Sequence, residues 1–281
     1  MKAKLFHIWC LISTSALVIS TTVFVGFIIV KGAPTLSTTL YFGDTSPIDG
    51  MLGLAPIWDG IWPACMGTLT VVTGALALAL LPGISTGIWL ATAKPSKFKT
   101  LLELGIVILA GIPSILMGLF GFTLILFLRN QLLPSANTCL LLSAACLAIL
   151  IIPYLTVTTR SALLALPTSL TLGAYCAGMT PWQTLRYVLL PQAKPGIISG
   201  IMLSIGRAAE DTAVIMLTGA VANAGLPGGI FERFEAIPFT IFYFSAQYQS
   251  NAELDMAFGA SLSLLCFTAI IFSSAHILGR R

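Results

Sequence analysis

An all-α integral membrane protein with six transmembrane helices is the fold class this sequence predicts, and three observations carry it. Hydrophobic residues make up 57 % of the 281 residues and charged residues only 9 %, whereas soluble domains run near a quarter charged. The apolar residues gather into six runs near the ~20 residues that cross a bilayer. The basic residues between those runs alternate in density, so each connecting segment is assigned a side of the membrane.

The first run covers about Ile8 to Val30, behind Lys2 and Lys4. A signal-peptide core is about 7–15 residues, so this longer run is expected to be a retained span. The second runs from about Ala64 to Ala93 and carries Pro82, Gly83 and Gly87 midway. A bend there needs neighbouring helices to satisfy the freed backbone, which predicts a place inside a bundle. The third covers about Glu103 to Leu128, with Gly111, Pro113, Ser114 and Gly118 inside it. The fourth runs from about Thr138 to Val157, the fifth from Ile197 to Ala220 and the sixth from Ala257 to Ile277.

Placing both termini in the cytoplasm puts Lys2, Lys4, Lys94, Lys97, Lys99, Arg160, Arg186, Lys194, Arg280 and Arg281 inside. Only Lys31, Arg129 and Arg233 remain outside, beside Asp44, Asp49, Asp59, Glu232, Glu235, Glu253 and Asp255. The chain then divides into a first helix and outer loop (1–63), a transmembrane core (64–277) and a short cytoplasmic tail (278–281). Between the last two outer acids and the fifth span, the aromatic run Ile237–Phe244 is too short to span. An interfacial helix is the preferred reading and a docking surface for an outside partner the other.

The polar stretch of about 161–196 faces the cytoplasm in this orientation. Gly178 reads as a helix stop, because glycine takes left-handed backbone angles at little cost. Thr180 and Pro181 read as an N-cap and a first helical residue. The stretch is therefore expected to be a helix, a sharp turn and a second helix, a rigid knob that another protein can move.

Several chemistries are unsupported. The six cysteines are scattered through apolar segments and form no C-x-x-C pair, which reads as small buried hydrophobes. His7 and His276 sit near the chain ends without ligand neighbours, so neither a metal site nor a Ser/His/Asp set is expected. A net charge of +4 does not point to nucleic acid. No P-loop or dinucleotide fingerprint is present, so ATP-driven work would need another chain.

Three constellations can line a path. Arg207, Glu210, Asp211 and Thr212 fall inside the fifth span, where a charge costs roughly 2.5–3.5 kcal/mol and needs a partner or water. Arg207 and Asp211, four apart, are expected to share a helix face and pair; the arrangement reads either as a structural ion pair or as the wall of a solute route. Arginine suits an oxyanion because its planar fork binds two oxygens. Thr159 and Arg160 end the fourth span, as a snorkelling anchor or as an inner-gate contact that offsets the acids of the fifth span. Pro113 and Ser114 read as a packing kink or as a break that opens backbone groups to the path.

Ala177 to Thr184, followed by Val188 to Pro191, resembles the EAA loop of type I ABC importer permeases, with its G-x-x-x-W-x-x signature and closing Leu-Pro. Ile112 to Phe120 resembles the P-S-I-x-x-G-L-F segment of phosphate permeases, and Gly206 to Ala213 resembles their G-R-x-x-G-E-T-A. Ala236 to Phe242 is similar to an outer L-P-x-T-I-F segment of the PstA type. The resemblance covers about Ala64 to Ile277.

It implies a type I ABC importer permease fold and half of a phosphate path in a bacterial inner membrane. It also implies a PstC-like sister permease, a cytoplasmic ATPase dimer gripping the knobs, and a periplasmic phosphate-binding protein. ATP and Mg would be bound by the ATPase, with no cofactor and no catalysis in this chain. The resemblance assigns Leu172, Gly173, Ala174, Tyr175, Gly178, Thr180, Pro181, Trp182 and Pro191 to ATPase coupling. Leu172 stands where the motif has Glu, Gly173 where it has its first Ala, Glu210 where the family has Gly, and Asp211 where it has Glu. Arg160 occupies a usually acidic position and Val157 a usually basic one. A permease for another oxyanion, sulfate- or molybdate-like, and a phosphate-signalling membrane scaffold remain open alternatives.

Overall fold

Apolar runs in lipid must satisfy their backbone groups internally, and helices do so. The computed structural model describes residues 2–58 and 60–279, and apart from one isolated parallel bridge between Ala220 and Phe234 their regular structure is helical. Asp59, Arg280 and Arg281, the end of the expected tail 278–281, and the side chains of Lys2 and His276 lie outside the described residues. Among the described residues, six helices are long and apolar enough to cross a membrane, in the order that hydropathy predicts.

The centre is the crossing of α4 (Trp62–Thr92) and α7 (Leu140–Leu164). Gly83 and Gly87 of α4 lie one turn apart and admit α7 closely. A Cβ at Gly83 would stand 2.7 Å from the Leu155 Cβ, and one at Gly87 would stand 2.7 Å from the Thr156 carbonyl oxygen. Small residues are what let backbones approach where lipid gives no hydrophobic drive between helices. Thr156 Oγ1 donates to the Gly83 carbonyl at 3.2 Å, so a neighbouring hydroxyl reaches the α4 backbone beside Pro82. Leu147, Ile151, Leu155, Val71 and Phe234 are almost wholly buried around this crossing.

Of the two readings of the third span, kink or break, the structure has the break. The span is two helices, α5 (Lys97–Gly111) and α6 (Ser114–Gln131), rather than one kinked helix. Pro113 disfavours a helical residue before it, and Ile112 is extended, with φ −69° and ψ 125°.

The knob expected over 161–196 forms as a helix, turn and helix: α8 (Thr168–Cys176), Gly178 with φ +76°, then α9 (Pro181–Thr184). Thr180 and Gln183 close a reciprocal capping box, which satisfies two otherwise orphaned backbone N–H groups. A π-turn, Leu185–Leu189, joins α9 to α10 (Leu190–Ala209). Pro191 follows directly, and the Leu190 N–H bonds back to Leu185 O. That wider register falls in the turn where a proline ring would crowd the preceding carbonyl.

The fifth span also differs from the single helix expected over 197–220. It stops at Ala209 and restarts as α11 (Thr212–Thr218). The segment after it folds back on the bundle: Glu232 O and Ile230 O accept from the Leu140 and Leu141 N–H groups, capping α7. α12 (Ile237–Gln247) buries Ile237 and Pro238 and packs on α4 and on α13 (Asn251–Gly279). Its Ile237 N–H donates to Thr68 Oγ1 at 2.9 Å. The first turn of α12 is thus anchored in the bundle through a buried hydroxyl, while Gly67 lies against the preceding Glu235 carbonyl; from Phe239 onward the helix is half-buried to exposed, as an interfacial helix is.

The first helix, α1 (Lys2–Gly32), stands at the edge, with its described side chains exposed over most of its length. It docks on α13 near its C-terminal end, where Phe27 meets Phe258 edge-on at 5.6 Å. Two short helices follow, α2 (Thr38–Phe42) and α3 (Pro47–Met51), and α2 buries Leu40 and Phe42.

Candidate functional site

The break between α10 and α11 holds the charged residues of the fifth span. Asp211 leaves helical angles, with φ −78° and ψ 107°, and acts as the N-cap of α11. Its Oδ1 accepts from the Val214 N–H at 2.9 Å, and its Oδ2 stands 3.1 Å from Arg207 Nη2. That second contact is a charge pair rather than an aligned hydrogen bond, since Oδ2 has no hydrogen-bond partner. The pairing expected of these residues exists, but across a helix break instead of along one helix face.

Burial divides the group sharply. The Asp211 side chain is 1 % exposed and the Arg207 side chain 32 %, while Glu210 is exposed and Thr212 half-buried. The acid is thus locked into the fold, and the arginine reaches from it toward the surface of this chain. Arg207 lies in the last turn of α10 and Glu210 just past it, at the break before α11, and charges that face acyl chains are strongly disfavoured. Gly206, beside them, lies against the ring of Phe272, so α10 and α13 touch there.

The two helix breaks are neighbours. Gly118, one turn into α6, faces Ala213 O and Val214 of α11, and a Cβ there would meet that oxygen at 2.9 Å. Pro113 is exposed and Ser114 half-buried at the start of α6. The break at 112–113 and the break at 210–211 therefore lie on adjoining helices.

The inner end of α7 is arranged differently from expectation. Arg160 pairs with Glu103 of α5 at 3.0 Å, not with the acids of the fifth span. Glu103 is a residue that sequence reasoning passed over; its signal was an acid at the inner end of an apolar run, level with Arg160. Thr159 is 1 % exposed and packs on Gly87, with its hydroxyl unpartnered. Its neighbour Thr158 faces Gly200 of α10.

On the knob, Ala174 is buried, while Leu172 is 63 %, Tyr175 48 % and Trp182 64 % exposed. Gly173 has open space around it, as does Gly178, and Pro191 is exposed. Large apolar side chains presented this way mark a surface suited to a protein partner or to lipid. Among the described residues, no cluster of metal-ligating side chains forms.

Among the described residues, six candidate spans, two breaks on adjoining helices, one of them beside the charged group, and an exposed helix pair mark a multi-pass membrane protein. The chain belongs to the family described as binding-protein-dependent transport system inner membrane components, whose profile matches residues 83–281. It is thus a multi-pass inner membrane component of a binding-protein-dependent transport system.

Among its relatives is the phosphate transport system permease PstC 1 of Mycobacterium tuberculosis, 27 % identical over 71 % of this chain and 65 % of that protein. The chain therefore spans slightly less than two thirds of that relative's length. The PstA permease of Haemophilus influenzae is 29 % identical over 88 % of this chain and 83 % of its own length. A probable ABC transporter permease of Bacillus subtilis, YqgH, is 31 % identical over 78 % of this chain and 71 % of its length. Both PstA and PstC subunits match, so the comparisons define the class that the two share and do not select the PstA type.

Solved structures agree on the fold. A chain of an inward-facing MetNI methionine ABC transporter superposes with a TM-score of 0.61 at 18 % identity, covering 84 % of this chain and 98 % of that one. A chain of a bacterial alginate ABC transporter, in complex with its pentasaccharide-bound periplasmic protein, gives 0.67 at 14 % identity, covering 97 % and 94 %.

Proposed function

We propose that this chain forms half of the translocation path of an ATP-driven inorganic phosphate importer in a bacterial inner membrane. Its partners are a PstC-like sister permease, a cytoplasmic ATPase dimer that binds ATP and Mg, and a periplasmic phosphate-binding protein. The names of the relatives support the substrate. The observation that carries the path assignment is the surface formed by Arg207 and Glu210. Charges beside the α10–α11 break that are exposed on the single chain need an aqueous route or a second subunit, because acyl chains solvate them poorly.

Arg207 supplies a forked donor for a phosphate oxygen, and Asp211 holds it in place. The same acid offsets its charge, and Glu210 stands beside it, so anion binding stays weak enough to allow release. Thr212 and Ser114 add hydroxyls near the two breaks, Pro113 opens the backbone at one of them, and Arg160 stands at the inner end of the route, while Thr159, packed against Gly87, supports that end from within the α4–α7 interface. ATPase closure moves the knob through Trp182, Tyr175 and Leu172, with Gly173 and Ala174 in its first helix, Gly178 in its turn, and Thr180, Pro181 and Pro191 in the second. The continuous helix from Pro181 to Ala209 links that motion to Arg207.

Reconstitution of the chain with its sister, ATPase and binding protein in vesicles tests this. Uptake of labelled phosphate that requires ATP and is not displaced by sulfate or molybdate is expected. Displacement by either would assign another oxyanion, and absence of all uptake would leave a signalling scaffold.

A further inference from the structure

A groove of about 460 Å³ opens between the outer ends of α6 and α7, roofed by Phe231. Its walls are Ile125 and Leu128 of α6, Leu142 and Ala145 of α7, and Leu133 of the connecting turn. Both helices are membrane spans, so acyl chains rather than water are the solvent at the depth of this wall. Leu133 is 57 % and Phe231 72 % exposed at its rim.

Arg129 follows the wall residue Leu128 in sequence and bonds to two residues of the lining. Its Nε donates to Ala136 O at 2.8 Å and its Nη2 to Asn137 Oδ1, and both acceptor residues also line the groove. Its remaining N–H groups have no partner, and no carboxylate lies within 4.0 Å of it, among the described residues. A half-buried guanidinium, fixed by two neutral acceptors, thus sits uncompensated beside an apolar channel at a membrane surface. It is also one of the few basic residues on the outer side, against the usual charge bias.

We propose that the groove holds one acyl chain of a phospholipid whose phosphate is bound by Arg129. The pairing joins the two halves of one amphipathic molecule. The guanidinium fork matches phosphate oxygens, and the apolar wall takes the chain. Phosphate and tail lie in the order that the outer leaflet requires.

The test uses the full chain purified in mild detergent, given phosphatidylglycerol and read by native mass spectrometry. One retained lipid is expected. Arg129→Gln lowers retention roughly tenfold, the scale of lost hydrogen bonds to a charged group. Ala145→Phe, which fills the groove without touching the arginine, lowers it similarly, and Arg129→Lys keeps part of it. Unchanged thermal unfolding of the variants confirms that each is folded. Equal retention in all four proteins overturns the proposal, and so does displacement of the lipid by excess inorganic phosphate. A photo-crosslinking side chain at Leu133 is expected to capture lipid; capture of a protein chain instead makes the groove a subunit interface and also overturns it.

Discussion

Glu103 of α5 and Arg160 of α7 are joined by an ion pair of 3.0 Å, with side chains 31 % and 37 % exposed. The contact ties the half-span before the first helix break to the helix at the centre of the bundle. Exposed pairs contribute about 0.2–1 kcal/mol, so its worth lies in position more than in strength. Glu103→Gln is expected to lower the unfolding free energy in detergent by less than about 1 kcal/mol. The charge-swapped double variant, Glu103→Arg with Arg160→Glu, recovers the loss. A double-mutant cycle with no coupling would show that the two do not act as a pair.

At the fifth span, Asp211 does two things, capping α11 and pairing Arg207. Asp211→Asn keeps an acceptor for the Val214 N–H and loses the charge. Asp211→Ala loses both, so it should be the less stable variant by about 0.5–2 kcal/mol, the range of an N-cap. Both should depress phosphate uptake, as should Arg207→Gln. Thermal unfolding set beside vesicle uptake checks this, and equal stability of the two Asp211 variants would remove the capping role.

The α4–α7 crossing predicts a steric contrast among glycines. Gly87→Val brings side-chain atoms onto the Thr156 backbone and Thr159. Overpacking of this kind costs about 1–3 kcal/mol. Gly105→Ala has nothing within 4 Å of the new methyl and sits inside a helix, so it should be neutral or slightly stabilising. Expression and melting temperature report the difference.

Gly178 is likewise in open space, but its φ of +76° makes any side chain unfavourable by roughly 1–2 kcal/mol. Gly178→Ala should leave the transmembrane bundle intact and weaken co-purification of the ATPase. Undiminished ATPase recovery and activity would show that the turn tolerates the change or that the knob is not the contact.

Glu235 is buried beneath the outer loop, and burial raises its carboxyl above the ordinary value of 4.5, opposed by the backbone N–H groups of Gly225 and Ala224. The Gly225 N–H reaches Oε1 at 2.8 Å. A pKa raised in the folded state means that the protonated form favours folding. This contribution is complete below 4.5 and fades as pH rises through the raised value. Glu235→Gln, which keeps an acceptor for Gly225, should therefore be more stable than the parent at neutral pH. The gap should close on acidification toward 4.5. Melting temperatures that diverge on acidification would reverse the sign.

Hydropathy made the number of spans and their order legible, because the cost of placing polar groups in lipid leaves a long apolar run for each crossing. The knob was legible too, since Gly178, Thr180 and Pro181 each have a narrow backbone role. The breaks were less so. Pro113 and Ser114 signalled one, but an apolar run continues through it, and hydropathy does not register a change of helix direction. At the fifth span, Asp211 ahead of an apolar run was an N-cap signal, masked by the regular spacing of Arg207 and Asp211.

Composition and local chemistry alone thus determined that this protein crosses the membrane six times and presents a helix-turn-helix knob on one side. Which residues meet was decided only by the tertiary structure. Arg160 has four acids before it in the chain, Glu103 among them, and six after it, and no spacing rule chooses among them. Glycines at 83 and 87 set how closely α4 and α7 approach, and that approach carries Thr159 into the interface, while the break at Glu210 leaves Arg207 reaching outward from a buried Asp211. Contacts between distant segments depend on how helices cross, and crossing is set by shape complementarity over the whole bundle rather than by any local stretch.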